Sequence, residues 1–211
     1  MTRPPATRRP PPRFALMAIA LAGLLVIVAG VLLAMALREG PRGVAGTALA
    51  SAIGGPFQLI DQNGKPVSDT DLKGKWQLVF FGYTHCPDTC PTALNEISLA
   101  LDQLGNKRHD VEVVFITVDP ERDTPDVLKS YVQSFDAPII ALTGSPDAVK
   151  QAAKAYRVFY AKHPRPDGDY DMDHSAVIYV MNPEGRFTAS FTPDSTADAI
   201  VQRLQKLIAQ A

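Results

Sequence analysis

The sequence predicts an α/β domain, a mostly parallel sheet covered by helices with an N-terminal hairpin added to it, preceded by one transmembrane helix. Three observations predict it. Residues 14–37 are 24 consecutive uncharged residues rich in Leu, Ala, Val and Ile. Beyond residue 56, apolar runs of strand length alternate with segments of helical spacing, in the order ββ, β-α-β-α-β-α, ββ-α. The 211 residues are 46% hydrophobic and 20% charged, the balance of a chain that folds.

At 1.5 Å per residue the uncharged run reaches roughly 36 Å, enough to cross a ~30 Å hydrocarbon core with some tilt. A cleaved signal peptide would have an apolar region of about 7 to 15 residues closed by a small-x-small site. The match here, Ala48-Leu49-Ala50, lies well past the run, so residues 14–37 are expected to be an uncleaved signal anchor. Arg3, Arg8, Arg9 and Arg13 precede it, and the flank after it (Arg38, Glu39, Arg42) is weaker in charge. That bias keeps residues 1–13 in the cytoplasm as a basic, Pro-rich N-terminus. The rest then faces the far side of a single-pass inner membrane protein, the periplasm in a bacterium. Residues 38–55, with Gly40, Gly43, Gly46, Gly54 and Gly55 among small residues, read as a flexible tether. Residues 56–211 are expected to form one domain.

Charge divides along the same line. Residues 1–43 carry six Arg and one Glu, a balance of +5, and residues 44–211 carry 15 basic against 21 acidic residues, a balance of −6. An acidic domain has no basic face for phosphate, which excludes nucleic acid as a partner. The two Cys are four positions apart, which excludes a disulfide framework of the secreted kind.

Within the domain, 57–60 and 66–68 form a hairpin around the Asn63-Gly64 turn signal. Residues 77–83 are a near-continuous apolar run, as in a strand buried on both faces. A helix is predicted over 91–104 with Leu94, Ile97, Leu101 and Leu104 on one face, then a second apolar strand at 111–118. Thr124-Pro125 and Ser145-Pro146 each pair an N-cap residue with Pro at the first helical position, and Ser195 with Asp198 resembles a capping box. Between them lie a strand at 139–142 and a hairpin of 176–181 with 186–191, turning through 182–185.

The first buried strand runs into Thr84-His85-Cys86-Pro87-Asp88-Thr89-Cys90-Pro91. With Pro91 at the first helical position, Cys90 is expected near the N-cap and Cys86 in the loop before it. Helix N–H groups there favour thiolate. Such a pair can cycle between dithiol and disulfide, or it can clamp a soft metal. The C-x-x-x-C spacing is wider than the C-x-x-C of dithiol oxidoreductases and leaves room for an ion, but two ligands do not close a site. His85 is expected to point away, and His109 and His163 lie in polar stretches. His174 directly precedes the apolar strand at 176–181, whose start belongs at the same end of the sheet as the Cys86 loop. Two thiolates and one imidazole select copper or zinc over hard ions. The competing reading is a strand-edge histidine bonded to Asp171 or Asp173.

Three stretches, in order, resemble one family: residues 81–91 (Phe-Gly-Tyr-Thr-His-Cys-Pro-Asp-Thr-Cys-Pro), residues 118–125 (Val-Asp-Pro-Glu-Arg-Asp-Thr-Pro), and Asp173-His174-Ser175 before an apolar strand. They look like the Sco/SenC copper proteins, which are membrane-anchored, thioredoxin-like and help assemble the CuA centre of cytochrome c oxidase. The resemblance covers essentially all of 56–211. It implies a thioredoxin-like fold and makes Cys86, Cys90 and His174 the ligands of Cu(I) and Cu(II). It also implies Asp119 as an acidic residue near the site, against the plainer reading of Asp119 as the start of a turn. Tyr170 and Asp171 are either partners of His174 or loop polarity.

Against a plain thioredoxin, residues 172–176 hold His174 where that fold has its cis-Pro. The resemblance implies cytochrome c oxidase subunit II, with its CuA domain, as target, and a periplasmic copper donor or thiol reductant as further partner. The alternative role is a thiol-disulfide oxidoreductase using Cys86 and Cys90 as its redox pair. A peroxiredoxin-like peroxidase is set aside because the resemblance lies elsewhere.

Overall fold

The computed structural model describes residues 27–31 and 53–210. The chain divides after Gly46 into two units. Of the expected membrane span, residues 27–31 are described, and they are helical and exposed. Residues 1–13, the remainder of the span and most of the tether lie outside the described residues. Among the described residues, no helix is long and apolar enough to cross a membrane.

In the second unit, Gln58–Asp61 (β1) and Pro66–Ser68 (β2) form the expected hairpin. Gly64 takes a left-handed φ of 77° at its turn. The Asp61 carboxylate closes the loop by accepting from the Asn63 and Lys65 amides, both at 2.8 Å. Then follow Trp76–Gly82 (β3), Thr89–Gln103 (α1), a 3-10 turn over Gly105–Asp110, Val111–Thr117 (β4) and Pro125–Val132 (α2). Ile139–Thr143 (β5), Pro146–Ala155 (α3), Tyr160–Pro164 (β6) and Tyr170–His174 (β7) come next. Ile178–Met181 (β8), Phe187–Phe191 (β9) and Ala197–Ile208 (α4) complete the domain.

Seven strands form one sheet in the order β2-β1-β5-β4-β3-β8-β9. Every residue of β3 is buried. Its side chains alternate between two cores. Leu78 and Phe80 point to the face covered by α1, α2 and α4, and Val79 and Phe81 to the face covered by α3. Burial of rings such as Phe80 and Phe115, both 0% exposed, stabilises by about 2 kcal/mol each. Glu96 accepts from the Ala197 amide at 2.6 Å, so a carboxylate on α1 tethers the positive end of α4.

Four expectations need correction. The sheet is mixed rather than mostly parallel. β3–β4 and β4–β5 pair parallel, and β1–β2 and β8–β9 are the two expected hairpins, but β1–β5 and β3–β8 also pair antiparallel. Apolar alternation reports burial and is silent about the direction of the neighbour. Helix α1 starts at Thr89 with Asp88 as N-cap, so Cys90 lies in the first turn rather than at the cap. The cap of α4 is Thr196, whose hydroxyl accepts from the Ala199 amide, and not Ser195.

The largest correction is a second, two-stranded sheet of β6 and β7 with no backbone ladder to the first. It occupies residues read as polar loop, and His174 is its last residue, with β8 starting four positions later at Ile178. Its tip turns at Gly168 with φ 89°, and Arg165 ties Asp167, Asp169 and Asp171 together around it. Met172 turns inward and anchors the ribbon in the core.

Candidate metal centre

The site forms where β3 ends, α1 begins and the ribbon closes over both. Gly82, the last residue of β3, is there because of a sulfur. A Cβ at this position would lie 2.6 Å from Cys90 Sγ and 2.9 Å from Phe115 Cε2. The next turn is closed by the Cys86 amide donating to the Tyr83 carbonyl at 3.2 Å.

Its entry is held by Asp123, a fully buried residue from the loop after β4. The Asp123 carboxylate accepts from the Thr84 amide at 3.1 Å, the Thr84 hydroxyl at 2.6 Å and the Thr117 hydroxyl at 2.6 Å. Burial pushes the Asp123 carboxyl up despite those three donors.

Cys86, Cys90 and His174 come together, each offering one ligand atom, all within 4.8 Å of one another. Cys90 Sγ lies 3.5 Å from His174 Nε2, and the Cys90 amide points at Cys86 Sγ at 3.4 Å. Cys90 is buried and Cys86 half-exposed. The two thiols titrate apart. The hydrogen bond from Cys90 holds Cys86 well below the usual thiol range, to about 3, helped by His174 and by the Cys90 and Asp88 amides. Cys90 is pushed up because it is the donor to that thiolate and because it is buried. Of the two sulfurs, Cys86 is thus the one favoured as thiolate and Cys90 the one favoured as thiol.

The imidazole of His174 is wedged edge-on against Phe80 and Tyr83, with ring centroids 6.2 and 5.7 Å away. Its Nδ1 is buried without a hydrogen-bond partner. A ring fixed by packing, with one nitrogen orphaned and the other on a sulfur, fits a soft cation bound between sulfur and nitrogen. The competing reading of His174 as a strand-edge histidine bonded to Asp171 or Asp173 fails. Asp171 is taken by Arg165, and Asp173 pairs with His163 at 2.8 Å.

His85 is exposed with Nδ1 3.1 Å from Thr84 Oγ1, and His109 is exposed on the 3-10 turn. Neither belongs to the cluster. His163 lies on β6, not in a loop. Asp119 starts the expected turn, and its carboxylate turns inward to Arg122 and Tyr170 rather than joining the cluster. Its carbonyl accepts from the Arg122 and Asp123 amides in a turn, and its carboxylate, almost fully buried, takes Arg122 Nε and the Tyr170 hydroxyl. Asp123, Gly82 and Arg122 were not among the expected site residues. The Val118-to-Pro125 stretch shows carboxylates but not which of them turns inward.

A mixed α/β sheet with a C-x-x-x-C turn opening its first helix and a histidine facing the pair defines a thioredoxin-like protein with a soft-metal site. The model of the SCO1/SenC family matches residues 45–209, and the chain belongs to that family. It is 44% identical over 177 residues to Protein SCO1 homolog 1, mitochondrial, of Arabidopsis thaliana, covering 83% of this chain and 52% of that one. The chain thus spans about half the length of that relative. Among solved structures, Bradyrhizobium japonicum ScoI with copper bound is 51% identical, with a TM-score of 0.69, covering 74% of this chain and 99% of that one. BsSco, a Sco-family cytochrome c oxidase assembly protein with a disulfide switch, is 26% identical with a TM-score of 0.59, covering 74% and 92%.

Proposed function

We propose that the chain is a membrane-anchored copper-binding protein that delivers copper to, or prepares, the CuA centre in subunit II of cytochrome c oxidase. The convergence of Cys86, Cys90 and His174 on one small volume carries this reading. The copper-bound relative at 51% identity and the assembly role of BsSco support it. Copper is cargo here. Cys86, already a thiolate and half-exposed, is the first sulfur to engage it. Cys90 then yields its proton, and His174 supplies the nitrogen that Cu(II) demands and Cu(I) can do without. Release follows by ligand exchange, one donor at a time, to the cysteines and histidines of the target. The uncharged run at 14–37 serves as anchor, with the domain in the periplasm.

A second reading is favoured by the asymmetry of the pair. The Cys86 thiolate attacks a disulfide of the target, a mixed disulfide forms and one target thiolate leaves. Cys90 then loses its proton and attacks Cys86 Sγ, which closes Cys86–Cys90 and frees the second target thiolate. A periplasmic thiol reductant supplies the two electrons that restore the dithiol. Two incubations separate the readings. Copper-loaded chain is mixed with a metal-free subunit II domain whose cysteines are reduced, and copper-free reduced chain with the oxidised domain. Copper in the re-isolated domain of the first supports delivery. Free thiols in the second, with no copper moved in the first, favour reduction.

A further inference from the structure

The two halves of the site rest on separate pieces of structure. The cysteines follow β3 of the large sheet, whereas His174 ends a ribbon with no backbone ladder to that sheet. Consecutive residues of one loop grip both halves. Asp123 holds the cysteine turn through Thr84. Arg122 holds the ribbon: Nη1 donates to the Tyr170 carbonyl at 3.0 Å and to Asp169 at 3.1 Å. Its guanidinium lies 3.7 Å from the Tyr170 ring centroid. Arg122 Nε is paired with Asp119, and the Tyr170 hydroxyl returns to that carboxylate at 2.7 Å. Arginine, carboxylate and tyrosine thus close a ring of contacts, and the arginine side chain is only 17% exposed.

We infer that Arg122 is a positioning residue that sets the gap between the Cys86/Cys90 pair and His174 by clamping Tyr170 of the ribbon onto the loop that also anchors the cysteine turn. The inference rests on the metal-binding reading of the three residues. Tyr170 is four residues before His174 on the same strand with the Met172 anchor between them, so a ribbon freed at Tyr170 pivots on Met172 and shifts the imidazole relative to Cys90 Sγ. Only a planar, multidentate cation can bond Asp119, Asp169 and a carbonyl while stacking on a ring. The clamp's hydrogen bonds go to Asp119 and the ribbon, and none reaches the cysteine turn. Its loss therefore weakens the oxidation state that needs nitrogen, Cu(II), and spares Cu(I) on the two sulfurs.

The test uses the full chain in detergent, as wild type, Arg122→Met, His174→Ala and the double variant. Cu(II) and Cu(I) affinities are measured by chelator competition, and amide hydrogen exchange over residues 160–175 is followed without metal. Arg122→Met is expected to weaken Cu(II) by about 10- to 100-fold, the range found for partners that orient a ligand, with Cu(I) nearly unchanged. In the His174→Ala background the same substitution is expected to cost nothing further, because the clamp acts through that imidazole. Ribbon exchange should rise in the metal-free variant. Tyr170→Phe, which deletes one hydroxyl, should shift Cu(II) affinity and ribbon exchange the same way by less, again sparing Cu(I), and it stands in if Arg122→Met does not fold. An equal loss of Cu(II) in the His174→Ala background, an equal loss of Cu(I), or unchanged ribbon exchange overturns the inference. A wild type that takes up no copper while ribbon exchange still rises in Arg122→Met overturns the copper reading and leaves the clamp standing.

Discussion

Cys90 Sγ and His174 Nε2 face each other at 3.5 Å across 84 positions of sequence. The sulfur is delivered by a helix start and the nitrogen by a strand end, and neither element touches the other through backbone bonds. Their meeting adds a nitrogen donor to the two sulfurs of the C-x-x-x-C pair.

Cys86 should alkylate far faster than Cys90 in metal-free reduced protein. With Cys86 held near pH 3, its thiolate is complete from about pH 5 upward, so its rate with iodoacetamide should be flat to pH 8 and fall only as pH drops towards 3. Cys90 is pushed up and should stay a thiol throughout that range. An ordinary thiol would lose tenfold per unit below about 8.5. Peptide mapping after timed alkylation reads both rates. A Cys86 rate with that ordinary slope would refute the assignment of the thiolate.

Gly82→Ala should disturb the site from behind. The added methyl meets Cys90 Sγ and Phe115, so the fold should lose about 1–3 kcal/mol from overpacking, and the Cys90 sulfur should be displaced. Urea unfolding and copper uptake are the measurements. A variant as stable as wild type with normal uptake would mean the sulfur has room to move.

Asp123→Ala should cost about 2 kcal/mol, because the Thr84 amide and the Thr84 and Thr117 hydroxyls lose the carboxylate that accepts from all three. The cysteine turn should loosen with it, seen as faster exchange of the Thr84 amide. A loss below about 0.5 kcal/mol would remove Asp123 from the support of the site.

The site was legible from Cys86, Cys90 and His174 because the first two are local and the third needed only the order of elements to bring it to the right end of the sheet. What stayed hidden is what depends on long-range choice. The ribbon carrying His174 is polar along most of its length, and its order comes from Arg165 among three carboxylates and from Met172 turning inward. A Pro166-Asp167-Gly168 turn between two alternating runs was its available signal. Asp119, Glu121 and Asp123 are alike in sequence, yet the first and third are buried while Glu121 stays exposed on Lys162. Strand direction was misread for the same reason, since burial of β3 does not say that β8 runs against it.

Metal-free chain should form a Cys86–Cys90 disulfide on air oxidation and take up no copper until reduced. The two sulfurs already lie within 4.8 Å, and a disulfide removes the thiolate donors copper needs. Thiol counting followed by copper uptake checks both halves. Two free thiols after prolonged oxidation, or full uptake by the disulfide form, would uncouple copper loading from redox state.

The most direct measurement of the central claim is copper content joined to X-ray absorption at the copper edge, on wild type and on Cys86→Ala, Cys90→Ala, His174→Ala and His85→Ala. Wild type should hold one copper per chain with two sulfurs and a nitrogen in its first shell. Either cysteine variant should lose the metal after dialysis against a chelator. His174→Ala should keep Cu(I) on two sulfurs and lose the nitrogen and most of its Cu(II) affinity, while His85→Ala should match wild type. Full copper in either cysteine variant, or an unchanged nitrogen in His174→Ala, would contradict the ligand set.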